Sequence, residues 1–210
     1  MFFGLLEERK DSPKASFEGL FVPLKISKMF SFKDAQSSKL KCMLNYFSVC
    51  QKKLLDEESL VSFSRKVLRE ERKSETHWKS CENNLSEFTL VPFGRIEDQK
   101  ETIFIDFSDE MFGGGVLGSG AVQEECLLCA FPEAIAGMLF FSKMQEDECL
   151  QVDGAVMINK VEGVGRKFKF LRTAISSVND LQVGRDSLGR YKTSIVAIDA
   201  LCFSNTGGHA

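Results

Sequence analysis

Asp106, Glu124, Glu125 and a run of glycines fall within the segment from Asp106 to Glu125. Gly113, Gly114 and Gly115 remove every Cβ, so the backbone reaches positive φ and approaches a ligand closely. Amide N–H groups exposed in such a loop form an anion-binding concavity, and a helix beginning near Val122 adds the partial positive charge of its N-terminus. Gln123-Glu124-Glu125 comes next. Adjacent carboxylates at a helix start point about 100° apart, so both reach one bound sugar from different sides. A carboxylate buried beside another negative charge has its pKa raised, and a proton held in that way serves as the general acid that glycosidic cleavage requires. Asp106 ends a run of strand-forming residues and is expected to face the same crevice, since ligands of α/β sheets bind outside the carboxyl ends of strands. Ordinary turn glycines and a plain first-turn acidic pair are the other readings of these residues.

Other chemistries find less support. The loop GGGVLGSGA matches neither GxxxxGK[ST] nor GxGxxG with an acidic residue at the proper distance, which argues against nucleotide triphosphatase and dinucleotide sites. Cys126 and Cys129 form a CxxC, but there is no second pair and His77 and His209 are remote in sequence, so no metal site is expected. A net charge of −3 and a pI near 5.6 offer no general attraction to nucleic acid, and direct DNA binding is not expected. No stretch approaches the roughly 20 apolar residues of a membrane span. Seven Cys at irregular spacings, after a start without a cleavage-type site, read as free thiols in a reducing compartment. An intracellular protein follows from that reading. The 19 Phe read as core residues.

The elements that must position the acids are partly visible. Residues 1 to about 30 mix charge, Ser and Pro with short apolar patches and suggest a loosely ordered start. Leu40, Met43, Leu44 and Phe47 recur at helical spacing within Asp34 to Lys53, predicting an amphipathic helix. Leu60, Val61 and Phe63 suggest a strand or a tight connection, and the charged stretch Arg65 to Lys79 a solvated face or mobile loop. Phe88, Leu90 and Val91 form one strand candidate. Residues 102–107, apolar on both faces, form a better one that suits the middle of a helix-covered sheet. Helices are expected over 122–128 and from Pro132 to Met144, strands over 149–156 and 194–199, and a polar stretch between those strands. The pattern predicts an α/β layer, with a mainly helical region over 1–84 and a partial catalytic domain over 85–210.

The run DFSDEMFGGGVLGSGAVQEE resembles the signature of the poly(ADP-ribose) glycohydrolases, a GGG separated from QEE by a short variable stretch, here residues 116–122. LKCMLNYF, the spacing of Trp78, Cys81 and Leu85, GRIED (94–98), FPEAIAGMLF (131–140), DGAV (153–156) and SIVAIDAL (194–201) follow in that family's order, so the likeness covers roughly residues 35–203. The resemblance implies a macrodomain-like mixed sheet flanked by helices, with an N-terminal helical region. It implies hydrolysis of the ribose–ribose bonds of poly(ADP-ribose), releasing ADP-ribose without metal or cofactor. Asp106, Glu124 and Glu125 match the family's catalytic acids, with Glu125 protonating the departing ribose oxygen and Glu124 holding ribose hydroxyls. Gln123, Ile96 and Glu97 match substrate-contacting positions, the last two near adenine, and Gly113, Gly114 and Gly115 would cradle the diphosphate. The expected partners are poly(ADP-ribose) and ADP-ribosylated proteins, the expected state a monomer, and the expected compartment the nucleus or the cytoplasm.

Departures from the family pattern bear on the same site. Cys126-Leu127-Leu128 stands where QEEIRF has Ile-Arg-Phe, and Asp109 stands where an Asn is common, beside the diphosphate position. Val161-Glu162-Gly163-Val164 replaces a Tyr-x-Gly-Tyr segment that packs over the substrate, so Val164 brings no ring to that position. Lost stacking of this kind costs about 1–3 kcal/mol, or tenfold or more in affinity. The sequence ends at SNTGGHA, short of the family's further strands and helices, so the sheet is expected to be incomplete at the C-terminus. Three readings stay open: a glycohydrolase, an ADP-ribose-binding module of weak or absent turnover, and a chain that does not fold alone.

Overall fold

A computed structural model describes residues 34–200 apart from 56, 57, 85, 91, 94, 95, 97, 98, 178–180 and 182. The loosely ordered start, Val91 and Glu97 therefore lie outside the described residues. Helix α1 (Asp34–Gln51) leads into strand β1 (Ser62–Val67) and two short helices, α2 (Glu70–Lys73) and α3 (Glu75–Lys79). Strand β2 (Ile103–Ser108) carries the chain into the glycine loop, helix α4 (Gln123–Ala130) and a 3-10 helix (Pro132–Leu139). Strands β3 (Glu148–Asp153), β4 (Asn159–Glu162), β5 (Lys169–Thr173) and β6 (Ser194–Asp199) complete the described part.

The main sheet has the order β1-β3-β6-β2. Strands β2 and β6 run parallel, with Asp106 opposite Ala197, while β3 is antiparallel to both of its neighbours. Parallel pairing needs a long crossover, and the whole segment from the glycine loop to β5 supplies it. The sheet thus draws strands from both sides of residue 84. Helix α1 packs into the same core as α4, through Ala35, Cys42 and Met43. Phe104, Phe112, Leu128, Phe131, Leu150, Val152 and Ile195 fill that core, and each fully buried side chain of this size stabilises the fold by about 1.5–3 kcal/mol.

Several expectations are corrected. Strand β2 lies at the edge of the described sheet, not its middle. Its inner face carries Phe104, Asp106 and Ser108, while Ile103, Ile105 and Phe107 point outward and are exposed. Phe47, Phe88, Phe93 and Phe140 are likewise exposed, so the phenylalanines do not all fill the core. Phe88 and Leu90 form no strand. A few apolar residues without a neighbouring strand gain no ladder. Arg65 and Lys66 lie on β1, and Arg65 is no solvated bystander: its guanidinium donates to the Ser142 and Lys143 carbonyls and pairs with Glu148. The helix that begins at Pro132 is a 3-10 helix ending at Leu139, where Phe140 N–H turns back to the Gly137 carbonyl. The polar stretch holds the β4–β5 hairpin, which was not anticipated.

Candidate active site

Strand β2 and helix α4 meet at the carboxyl end of β2, and the glycine loop between them folds back over the first turn of α4. Glu124 and Glu125 are both buried there. Glu124 Oε1 accepts from Ser108 Oγ at 2.7 Å and from Gly113 N–H at 2.6 Å, and its Oε2 from Asp109 N–H at 3.5 Å. Glu125 Oε1 accepts from Gly115 N–H at 2.8 Å. Its Oε2 reaches back to Val122 N–H at 2.7 Å, one half of a capping box whose N-cap residue has no side-chain oxygen to return the bond. The glycines are needed for this closeness. A Cβ on Gly114, which has φ +45°, would stand 2.5 Å from Glu124 Oε2 and 2.8 Å from Glu125 Oε1. A Cβ on Gly120 would overlap Glu125 Oε1.

The loop therefore does less for an external anion than its composition suggests. Gly113 and Gly115 turn their amides onto the protein's own carboxylates, and Gly114 N–H bonds the Met111 carbonyl at 3.3 Å. A phosphate cradle built from those three amides is not the arrangement found. What remains open is a cavity of about 470 Å³ lined by Phe107, Ser108, Asp109, Gly114, Glu124 and Glu125 among others.

Asp106 lies behind this cavity and does not line it. Its side chain is 0% exposed and neither carboxyl oxygen has a hydrogen-bond partner among the described residues. Burial, and then the charges of Glu124 and Glu125, push its pKa up to about 8. Burial also raises Glu124, against the pull of its bonds from Ser108, Gly113 and Asp109. Gln123 turns away from the cavity: its amide accepts from Phe107 N–H and donates to the Ile105 carbonyl, both at 2.9 Å. Ile96 is exposed and lines no described cavity. Val164 is exposed and Val161 buried, and the next residue, Gly165, reaches the glycine loop through its N–H, which donates to the Ala121 carbonyl. A smaller cavity of about 240 Å³, lined mainly by apolar side chains with Lys100 and Lys160, contains no carboxylate.

Two residues at the site escaped the sequence reading. Ser108 supplies the hydroxyl on Glu124. Lys39, on α1, is 1% exposed and donates to the carbonyls of Gly115, Gly118 and Gly120 at 2.9, 2.5 and 2.5 Å. Its position three and four residues before Cys42 and Met43 was the available signal, since those spacings put a lysine on the buried stripe of an amphipathic helix.

A mixed sheet with helices on its buried face, and a glycine loop folded onto acids at a strand's carboxyl end, fits the macrodomain class. A family model described as "Poly (ADP-ribose) glycohydrolase (PARG), Macro domain fold" matches residues 75–210. The chain belongs to the poly(ADP-ribose) glycohydrolase family. It is 34% identical over 195 residues to Poly(ADP-ribose) glycohydrolase 1 of Arabidopsis thaliana, covering 92% of this chain and 33% of that protein. It is 32% identical over 176 residues to the Probable poly(ADP-ribose) glycohydrolase 2 of the same plant, with 79% and 32% covered. Poly(ADP-ribose) glycohydrolase 1 of Caenorhabditis elegans is 32% identical over 171 residues, covering 80% of this chain and 21% of the relative. The chain thus spans a third or less of the length of these relatives.

Proposed function

We propose that this protein is a glycohydrolase that cleaves ribose–ribose O-glycosidic bonds of poly(ADP-ribose) and releases ADP-ribose. The observation that carries the reading is the placement of Glu124 and Glu125 on one wall of a single cavity, each fixed by loop amides. Positioned carboxylates of this kind are what acid/base cleavage of a glycosidic bond requires. Glu125 gives its proton to the departing ribose oxygen as the glycosidic bond breaks. The same carboxylate then takes a proton from the attacking water, which restores the acid. Glu124, already holding three donors, orients the ribose hydroxyls. Asp106, neutral below about pH 8, spares the pair a third negative charge at close range. The test is ADP-ribose release from poly(ADP-ribose) by the purified chain and by Glu125→Gln. Removing a general acid lowers turnover by about 10²–10⁴-fold, and release that persists in the variant would overturn the assignment.

A second reading has its own support. Val161 and Val164 bring no ring to the turn against the glycine loop, which weakens the hold on substrate without touching the acids. An ADP-ribose-binding module with intact carboxylates and little turnover fits that loss. Calorimetry separates the two, because binding of ADP-ribose without any release from polymer selects the module.

A further inference from the structure

We infer that Lys39 is a positioning residue for Glu125, acting as a buried strut that holds the second half of the glycine loop. The kinetic part of this inference rests on the glycohydrolase reading above, and the structural part does not. A lysine ammonium taken out of water must find acceptors for its N–H groups, or its burial is prohibitive. Lys39 finds three, the carbonyls of Gly115, Gly118 and Gly120, which lie 76 to 81 residues away in sequence. Three acceptors match the three donors of the protonated amine, whereas the neutral amine has only two. Burial draws the Lys39 pKa down, while Cys129, Glu125 and Cys126 act in the opposite direction.

The three carbonyls converge on one cation, which joins the Gly118 and Gly120 N–H bonds to the Gly115 carbonyl in fixing the peptides from 115 to 120. That arrangement matters because Gly115 N–H is the donor on Glu125 Oε1. Gly120 also packs so closely on Glu125 Oε1 that no Cβ fits between them. Without the cation, three carbonyl dipoles would face one another across an unfilled site. The first half of the loop is held differently. Gly113 is tied to Glu124, and Gly114 to the Met111 carbonyl. The hydrogen bonds divide the loop accordingly: Gly113 serves Glu124, and the stretch 115–120 gathered by Lys39 serves Glu125. If Lys39 were only a space-filler on α1, a neutral side chain of similar length would replace it without consequence.

The experiment compares the full chain with Lys39→Met by hydrogen exchange and by kinetics. Exchange of peptides covering 115–120 should rise about tenfold or more while those of β3 and β6 hold steady. The kcat on poly(ADP-ribose) should fall by roughly 30-fold or more, and the calorimetric Kd for ADP-ribose should stay within about threefold. A fold-level defect would move both constants together. Unchanged loop exchange overturns the inference, as does exchange that rises throughout the chain. Should Lys39→Met lose its cooperative melt, Lys39→Gln, which keeps two N–H donors, takes its place under the same criteria. Collapse of both variants would make Lys39 a general core residue and end the proposal. A wild-type chain that releases no ADP-ribose removes the glycohydrolase reading, and the exchange comparison still decides on the strut.

Discussion

Asp106 and the Glu124–Glu125 pair are the same functional group in two neighbouring but opposite settings. Each glutamate is buried against at least two N–H or O–H donors. Asp106, one layer deeper, has no such donor among the described residues. Donors favour the anion and burial without donors favours the acid. On Glu124 the donors oppose burial, which still raises its pKa, whereas on Asp106 burial goes unopposed and pushes the group up to about 8. The contrast teaches that sequence proximity of acids says little about their ionisation. The loop conformation decides which of them is solvated by peptide groups.

The largest way to break that contrast is to displace the loop from Glu125. Gly120→Ala adds a methyl group where Glu125 Oε1 lies and 2.8 Å from Gly115 Cα. A shift of about 1 Å in a catalytic group costs on the order of 100-fold in rate, so kcat should fall by that much in a variant that still melts cooperatively. Wild-type turnover by Gly120→Ala would show that the tight packing is dispensable. Next in size is Asp106→Asn. The folded protein keeps the Asp106 proton up to about pH 8, whereas the unfolded chain releases it near 3.8. The folded state therefore binds more protons between those values, and the stability contributed by this group is lost as pH rises through that window. Asn removes the slope, so the variant should gain on wild type with rising pH, by a few kcal/mol (order of magnitude) at pH 8. Urea midpoints at pH 4.5, 6 and 8 measure it, and a gap independent of pH would refute the assignment. The smallest effect is expected from Ser108→Ala, which deletes the 2.7 Å bond to Glu124 Oε1. A loss of about 1 kcal/mol, or fivefold in kcat/KM, is anticipated; unaltered kinetics would mean that the two amides suffice.

Much of this arrangement was legible because the responsible residues repeat or cluster. The period of Leu40, Met43, Leu44 and Phe47 marked α1, although Leu44 and Phe47 turned out exposed while Lys39, Cys42 and Met43 form its buried face. Strands β2 and β6 announced themselves as β-branched and aromatic runs, and the GGG-to-QEE spacing located the acids. The β4–β5 hairpin was hidden because a two-stranded ribbon with one wet face mixes Lys160, Glu162, Lys169 and Arg172 with its apolar residues. Where loop amides point cannot be read from glycine content, since Gly113 and Gly115 turn onto carboxylates that the fold brings back from ten or more residues along the chain. Asp106 was rightly placed on β2, but its depth follows from the alternation with Phe104 and Ser108, which only the pairing of β2 with β6 establishes.

Gln123 has a consequence outside catalysis. An edge strand with a bare row of main-chain groups is a template for pairing with another chain, and β2, at the edge of the described sheet, adds outward-facing Ile103, Ile105 and Phe107 to that hazard. The Gln123 amide occupies Phe107 N–H and Ile105 C=O as a neighbouring strand would. One side chain thus stands in for a strand one residue long. The peptide groups nearest the acids are sealed against intermolecular β-pairing by the residue that introduces those acids.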